Sequence, residues 1–171
     1  MALTRLGPNQ SINLASNVTG THATGNGGTG ATSFSPGKVL QVIRASTTTI
    51  TTTSSTSMVD ITNLTVNITP SATSSKIYVI MNVNGIASIG SASAGASLRI
   101  FRASDVSGEA INIGFGTTDQ LNDSATLTAL ESPSSTSELT YKGQFKNREA
   151  TAVYVNNSSD TSSITVMEIA G

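Results

Sequence analysis

The sequence predicts an all-β protein, an antiparallel β-sandwich of jelly-roll type that follows an extended N-terminal arm. Three observations carry that expectation. From Lys38 onward, short runs of β-branched and aliphatic residues recur roughly every ten residues, the spacing of strands in a small sandwich or barrel. Several runs alternate apolar and polar, as in Leu64/Val66/Ile68, Leu139/Tyr141/Phe145 and Ile164/Val166, so one face of each strand is buried and the other wet. No window of about twelve residues carries the 3.6-residue period and the caps of an amphipathic helix.

The segment 1–37 stands apart. Asn9–Gly37 holds scattered single apolar residues, a glycine cluster from Gly25 to Gly30 and a closing Pro36-Gly37 turn signal, with no sustained period. A glycine-rich arm is ordered only where something holds it, so contacts with another chain or with the body of its own domain are expected. The remainder, 38–171, is read as the sandwich domain. Strands are expected at Val39–Arg44, Ser57–Ile61, Leu64–Thr69, Lys76–Asn84, Leu98–Ala103, Ile111–Phe115, Ala125–Leu130, Leu139–Lys146, Ala152–Asn156 and Ile164–Ile169. Turn-forming residues separate them at Pro70-Ser71, Gly85, Gly90–Gly95, Gly108, Asn122-Asp123, Ser132–Ser134 and Asn156–Asp160. The tract Ser46–Ser57 is low in complexity but rich in β-branched threonine, and reads either as an extended strand or as a surface spacer. The run Lys76–Asn84 is apolar at Ile77, Tyr78, Val79, Ile80 and Met81, on both faces of the strand. One face goes to the core; the other needs a cover, from a neighbouring subunit or from a long loop of the same chain. Tyr78 and Ile80 are the candidate subunit-interface residues.

Composition narrows the function classes. The 171 residues carry a formal net charge of −1, one His, no Cys and only 11% charged residues, against about 25% in an ordinary domain. Without clustered Lys and Arg there is no electrostatic footprint for nucleic acid or an anionic membrane. No apolar stretch approaches the ~20 residues of a membrane helix, and no apolar core follows Met1–Gly7 to make a secretory signal, so retention in the cytosol where it is made, or release other than by secretion, is expected. Disulfides, thiol catalysis and Cys-ligated metals are excluded. Ser and Thr number 26 each and supply the polarity that charge usually supplies. At this length roughly 70% of the unfolded surface can be buried, enough for one domain plus a tail.

No constellation for chemistry stands out. The single histidine, His22, lies in the arm; no Gly-x-Ser-x-Gly elbow frames any serine. Asp119, Asp123 and Glu131 are the nearest approach to a carboxylate cluster, and Asp119–Asp123 lacks the glycine and terminal glutamate of a calcium loop. Gly25–Gly30 follows no strand, opens no helix and has no Lys-Ser/Thr behind it, so it is not a phosphate cradle. The seven Asn-x-Ser/Thr triplets, beginning with Asn9 and ending with Asn157, carry little meaning without a secretion signal. No catalytic residue, cofactor or metal is expected, and the chain is not expected to be an enzyme.

Two sets of residues carry a resemblance. Asn17-Val18-Thr19-Gly20-Thr21 followed by Gly27-Gly28-Thr29-Gly30-Ala31-Thr32-Ser33 is similar to the connector of many tailed-bacteriophage tail fibre proteins. Pro36–Val42, the Ile68–Ser71 and Ser74–Ile77 turn, Ser132-Pro133 and the closing Ile164–Ile169 resemble small β-rich virion proteins of aquatic phages. Two departures stand: His22-Ala23-Thr24 occupies the place of the connector's usual Leu-Pro-like pair, and tail fibres are commonly several times longer. The resemblance implies a non-enzymatic virion structural protein, assembled in the host cytoplasm, forming a short homotrimeric fibre. Its arm would dock onto other virion proteins through Leu6, Ile12, Leu14 and Val18. Its outer loops, at Ser88–Ala96, Thr117–Ser124 and Asn156–Ser163, would face the host surface, where a glycan is a possible ligand. A trimer also accounts for low charge, because interface cores lose charged residues, and it hides sheet edges. The alternatives are a capsid decoration or cement protein that stabilises the head, and a glycan-acting hydrolase built on a carboxylate such as Asp119 or Glu131.

Overall fold

The computed structural model describes residues 38–89, 94–103, 105–115, 123–148 and 152–171, with the backbone alone for 89, 94 and 105–115. The residues of the arm therefore lie outside the described residues. Among the described residues ten strands form: β1 (Val39–Thr47), β2 (Thr51–Thr53), β3 (Val59–Ile68), β4 (Lys76–Ile89), β5 (Ala94–Arg102), β6 (Asp105–Phe115), β7 (Asp123–Glu131), β8 (Leu139–Asn147), β9 (Ala152–Val155) and β10 (Ser162–Ile169). All pairings are antiparallel.

One sheet runs β1-β10-β4-β9-β2 with β7 on β4; the other runs β3-β8-β5-β6. Two of the short strands are halves of longer ones. β1 and β2 form one edge line, because β1 pairs with β10 and β2 with β9, while β10 and β9 in turn flank the two halves of β4. The first sheet is thus four long lines, β1/β2, β9/β10, β4 and β7, packed over β3, β8, β5 and β6. This is the two-sheet, eight-line arrangement of a jelly roll, as the strand spacing predicted. The β-branched alternation explains why: inward side chains of β4 (Ile77, Val79, Met81, Val83) and β10 (Ile164, Val166) meet those of β3 (Leu64, Val66, Ile68) and β8 (Tyr141, Phe145) in one continuous core. In mid-strand, Gly143 leaves the room that Leu64 and Met81 fill, since a Cβ there would come within 2.5 Å of Leu64 and 2.8 Å of Met81.

Several expected boundaries are corrected. Ser57–Ile61 and Leu64–Thr69 are one strand, β3, with a bulge at Asn63, whose φ of 62° is a left-handed conformation that Asn tolerates. The Ser46–Ser57 tract is both of its readings at once: it ends β1, loops, and returns as β2. Gly108 lies inside β6, and Gly85 lies inside β4 instead of ending it.

Gly85 marks the place where β4 changes partners. The β9/β10 line carries extra residues there, looped out as a 3-10 turn at Asn157–Ser159 with Asn156, Ser158 and Ser159 at positive φ. This turn lies against Gly85, whose φ is +58°. A buried polar knot closes the break. Asn156, fully buried, donates through Nδ2 to Thr49 O at 2.9 Å and accepts at Oδ1 from Ser162 Oγ at 2.5 Å. The backbone N–H of Asn84 donates to Ser162 Oγ at 3.0 Å, the Asn84 side chain donates to Thr161 O at 2.6 Å, and Asn156 N donates to Asn84 O at 3.0 Å. The break in the ladder at Gly85 is thereby bridged by side-chain and backbone hydrogen bonds, as burial demands.

A second buried polar group holds the β3–β4 connection. Glu168 of β10 points inward and is 1% exposed. Its Oε1 accepts from Ser71 N at 2.7 Å, Ser71 Oγ at 2.6 Å and Ser75 Oγ at 2.6 Å, and its Oε2 accepts from Gln41 Nε2 at 2.7 Å. Burial by itself would raise the pKa of this carboxyl; the hydrogen bonds from Ser71, Ser75 and Gln41 outweigh it and bring it down to about 2.

Two substitutions test these devices. Gly85→Ala puts a Cβ 2.7 Å from the Asn157 backbone at a positive φ, and a loss of roughly 2–4 kcal/mol is expected in urea denaturation. For Glu168, a folded pKa depressed from 4.5 to about 2 means that the unfolded chain binds the proton more tightly. Its contribution, roughly 3 kcal/mol, is then complete above about pH 5 and lost as pH falls through 4.5 toward 2. Glu168→Gln is expected to flatten the urea midpoint across that window and to lower it at neutral pH.

Candidate functional site

The outer face of the first sheet is where this sequence departs from an ordinary sandwich. On β4 the residues alternate with the inward set, so Lys76, Tyr78, Ile80 and Asn82 point outward. Register then lines up rows across four strands. Val42 of β1, Met167 of β10, Tyr78 of β4 and Leu130 of β7 form one row; Arg44, Thr165, Ile80 and Thr128 form the next. The row beyond is polar, Ser46, Ser163, Asn82 and Thr126, with Asn82 donating to Thr126 Oγ1 at 2.9 Å. On the opposite side lie Leu40 and Ile169. Val42 is 56% exposed, Leu130 61% and Leu40 46%, which leaves a contiguous apolar strip on a surface that otherwise alternates to polar.

The strip has a shallow depression of about 460 Å3 lined by Lys38, Lys76, Tyr78, Leu130 and Ile169. Two exposed cations, Lys38 and Lys76, line it, and an exposed Arg44 stands in the next cross-strand row; none of the three forms an ion pair among the described residues. The two interface residues expected from sequence, Tyr78 and Ile80, are both half-buried and both on this face. Sequence reasoning missed Val42, Met167 and Leu130, because their alignment beside Tyr78 depends on the strand order.

Among the described residues, the carboxylates singled out from the sequence stand apart. Asp123 and Glu131 are the two ends of β7, about 26 Å apart at ordinary strand rise; the carboxyls of a glycosidase stand within about 5–9.5 Å. Glu131 instead ties the two sheets together, accepting from Arg102 Nε of β5 at 2.9 Å and from Tyr141 OH of β8 at 2.7 Å. Burial, and then the hydrogen bond and charge of Glu131, push the Tyr141 hydroxyl well above its usual range. Asp119 and His22 lie outside the described residues.

The expected outer loops fare differently from the strip. Ser88 and Ala96 are buried within β4 and β5, and 90–93 and 117–122 lie outside the described residues. Asn156–Ser163 loops out beside the middle of β4, with Asn156 and Ser162 wholly buried and 158–161 exposed. The docking residues expected in the arm, Leu6, Ile12, Leu14 and Val18, are outside the described residues.

The second sheet presents a polar outer face. Asp60, Gln144 and Arg99 form a cross-strand row, with Gln144 Nε2 donating to Asp60 at 2.5 Å and Arg99 Nε donating to Gln144 Oε1 at 2.7 Å. Lys142 pairs with Asp60 at 2.8 Å, and the Arg99 guanidinium sits 4.8 Å above the Phe101 ring. Burial opposes ionisation of Asp60, but the bonds from Lys142 and Gln144 and the nearby charges of Lys142 and Arg99 hold its carboxyl below the usual range.

The sequence matches no model of a known protein family, and no curated protein is significantly similar to it.

Proposed function

We propose that this chain is a structural protein of a bacteriophage virion: a short homotrimeric fibre in which the arm 1–37 docks to other virion proteins and the jelly-roll domain is turned toward the host surface. The observation that carries the reading is the in-register apolar row Val42–Met167–Tyr78–Leu130 on the outer face of the first sheet. An exposed apolar strip of this kind marks an assembly surface. Its surroundings favour closure into a ring over a face-to-face dimer. A two-fold contact would bring a patch bordered by Lys38, Arg44 and Lys76 against an identical one, cation against cation. A heterologous contact sets the strip against a different surface of the next copy, and closes into a ring of three where the rotation between copies is a third of a turn. The fold supports the reading by analogy, since jelly rolls recur in viral coat and lectin domains, and the connector residues Asn17–Thr21 and Gly27–Ser33 support it by resemblance.

Light scattering behind size exclusion is expected to give three times the chain mass for the full chain. Tyr78→Ser and Leu130→Lys, both on the outer face, are expected to weaken association at least tenfold while the circular dichroism stays that of a folded sheet protein. A monomer at all concentrations overturns the trimer. Particles lacking the protein are expected to adsorb poorly to host cells and to rupture at the normal temperature; normal adsorption with a lowered rupture temperature identifies a capsid cement instead.

A further inference from the structure

The apolar row of the first sheet runs from one edge of that sheet to the other. Val42 stands on β1 and Leu130 on β7, with Met167 and Tyr78 between them. Among the described residues β1 is hydrogen-bonded only to β10 and β7 only to β4, so each keeps a bare edge. β7 carries no Lys, Arg or Pro, the residues that commonly keep a bare edge from pairing. The two edges also differ in charge. The exposed Lys38 and Arg44 stand on the β1 side. From Ala103 to Tyr141, the stretch that contains β7, the sequence holds six carboxylates and no Lys or Arg, and two of them, Asp123 and Glu138, are exposed.

The width of the row sets how many copies close around it. Strands spaced about 4.8 Å apart make this four-line face about 19 Å wide, and three such faces joined at their edges stand roughly 5.5 Å from a common axis. Stacked sheets sit about 10 Å apart, so side chains fill about 5 Å in front of their own sheet, and three faces leave no void between them. Four faces would stand about 10 Å from the axis and enclose a hollow. Two faces stacked on each other would also fill the gap, but would leave the edges of β1 and β7 bare.

We infer that the first sheets of three copies enclose a common apolar core, with β1 of each copy lying against β7 of the next. The cross-strand rows then continue around each corner: Val42 meets Leu130 of the next copy, and Arg44 meets its Thr128. Lys38 and Arg44 arrive beside a strand whose only charged residues are the carboxylates Asp123 and Glu131. Lys76, the cation nearest the axis, is the first residue of β4, at the open end of the core where its ammonium reaches water. The row Ser46, Ser163, Asn82 and Thr126 is polar and the sheet twists, so the close contact is confined to the half of β4 before Gly85. The inference rests on the trimer proposed above and adds which surface of the next copy covers the strip.

The chain has no cysteine, so introduced pairs report on the corner. Within one copy Val42 and Leu130 are three strand spacings apart, about 14 Å, beyond the ~7 Å between Cα atoms that a disulfide spans. The full chain with Val42→Cys and Leu130→Cys, oxidised with copper phenanthroline, is expected to run as a covalent trimer on a non-reducing gel. Arg44→Cys with Thr128→Cys is expected to do the same, while each single cysteine leaves the chains unjoined. Thr128→Lys sets a cation before Arg44 of the next copy and is expected to weaken association at least tenfold; adding Arg44→Glu to the same chain is expected to restore it. Disulfides between single-cysteine chains, or joining that stops at two copies or runs past three, overturn the inference. A mass of three chains with neither pair joining copies overturns it and leaves the trimer standing. A monomer at all concentrations overturns both.

Discussion

The structure depends on one constraint: β4 must run the full length of the first sheet while changing partners halfway along. β10 serves one half and β9 the other, and the residues between them have to leave the sheet and return without stranding buried backbone groups. The knot of Asn84, Asn156, Ser162 and Thr49 around Gly85 meets that requirement. Each of its bonds contributes about 1 kcal/mol net, but an unpaired member would cost roughly 1–3 kcal/mol, so the knot acts chiefly by excluding other registers. With β4 continuous, the inward row Ile77, Val79, Met81 and Val83 and the outward pair Tyr78 and Ile80 are both placed. Core and outer face are therefore two consequences of one strand's path.

The same logic explains a polar chain with few charges. Hydroxyls and amides do here what ion pairs do elsewhere: Glu168 is held by Ser71, Ser75 and Gln41, and the mid-sheet interruption by Asn and Ser. Small neutral donors fit between strands without the desolvation cost of a buried cation. Where described charges do pair, they tie elements: Arg102–Glu131 joins the sheets and Lys142–Asp60 joins β8 to β3. The cations that remain unpaired around the first-sheet strip are consequently distinctive against a sparsely charged background.

Much of this was legible in the sequence. The period-2 runs located nearly every strand, and their spacing gave the jelly roll, because alternation reports burial directly. The double-sided character of Lys76–Asn84 pointed to Tyr78 and Ile80, and both lie on the outer face. What was not legible depended on pairing. Gly85 reads as a turn because a glycine between Asn84 and Ile86 carries no local sign that a neighbouring strand will loop against it. Asn63 looks like a strand break, yet one left-handed residue bulges β3 without ending it. Glu168, in an alternating run, looks like an outward polar residue; its inward position follows from Ile164 and Val166 sharing its parity, and its donors arrive from residues 93 to 127 positions away.

The central claim is that the outer face of the first sheet is covered by another copy of the chain. Hydroxyl-radical footprinting of Tyr78 and Met167 across a dilution series measures this cover directly, since both side chains are reactive and half-buried in the single chain. The account predicts that their protection rises in step with oligomer mass and disappears on dilution, while Tyr154, a half-buried tyrosine at the other end of the sheet, does not change. Constant reactivity of Tyr78 and Met167 while the mass changes would contradict it.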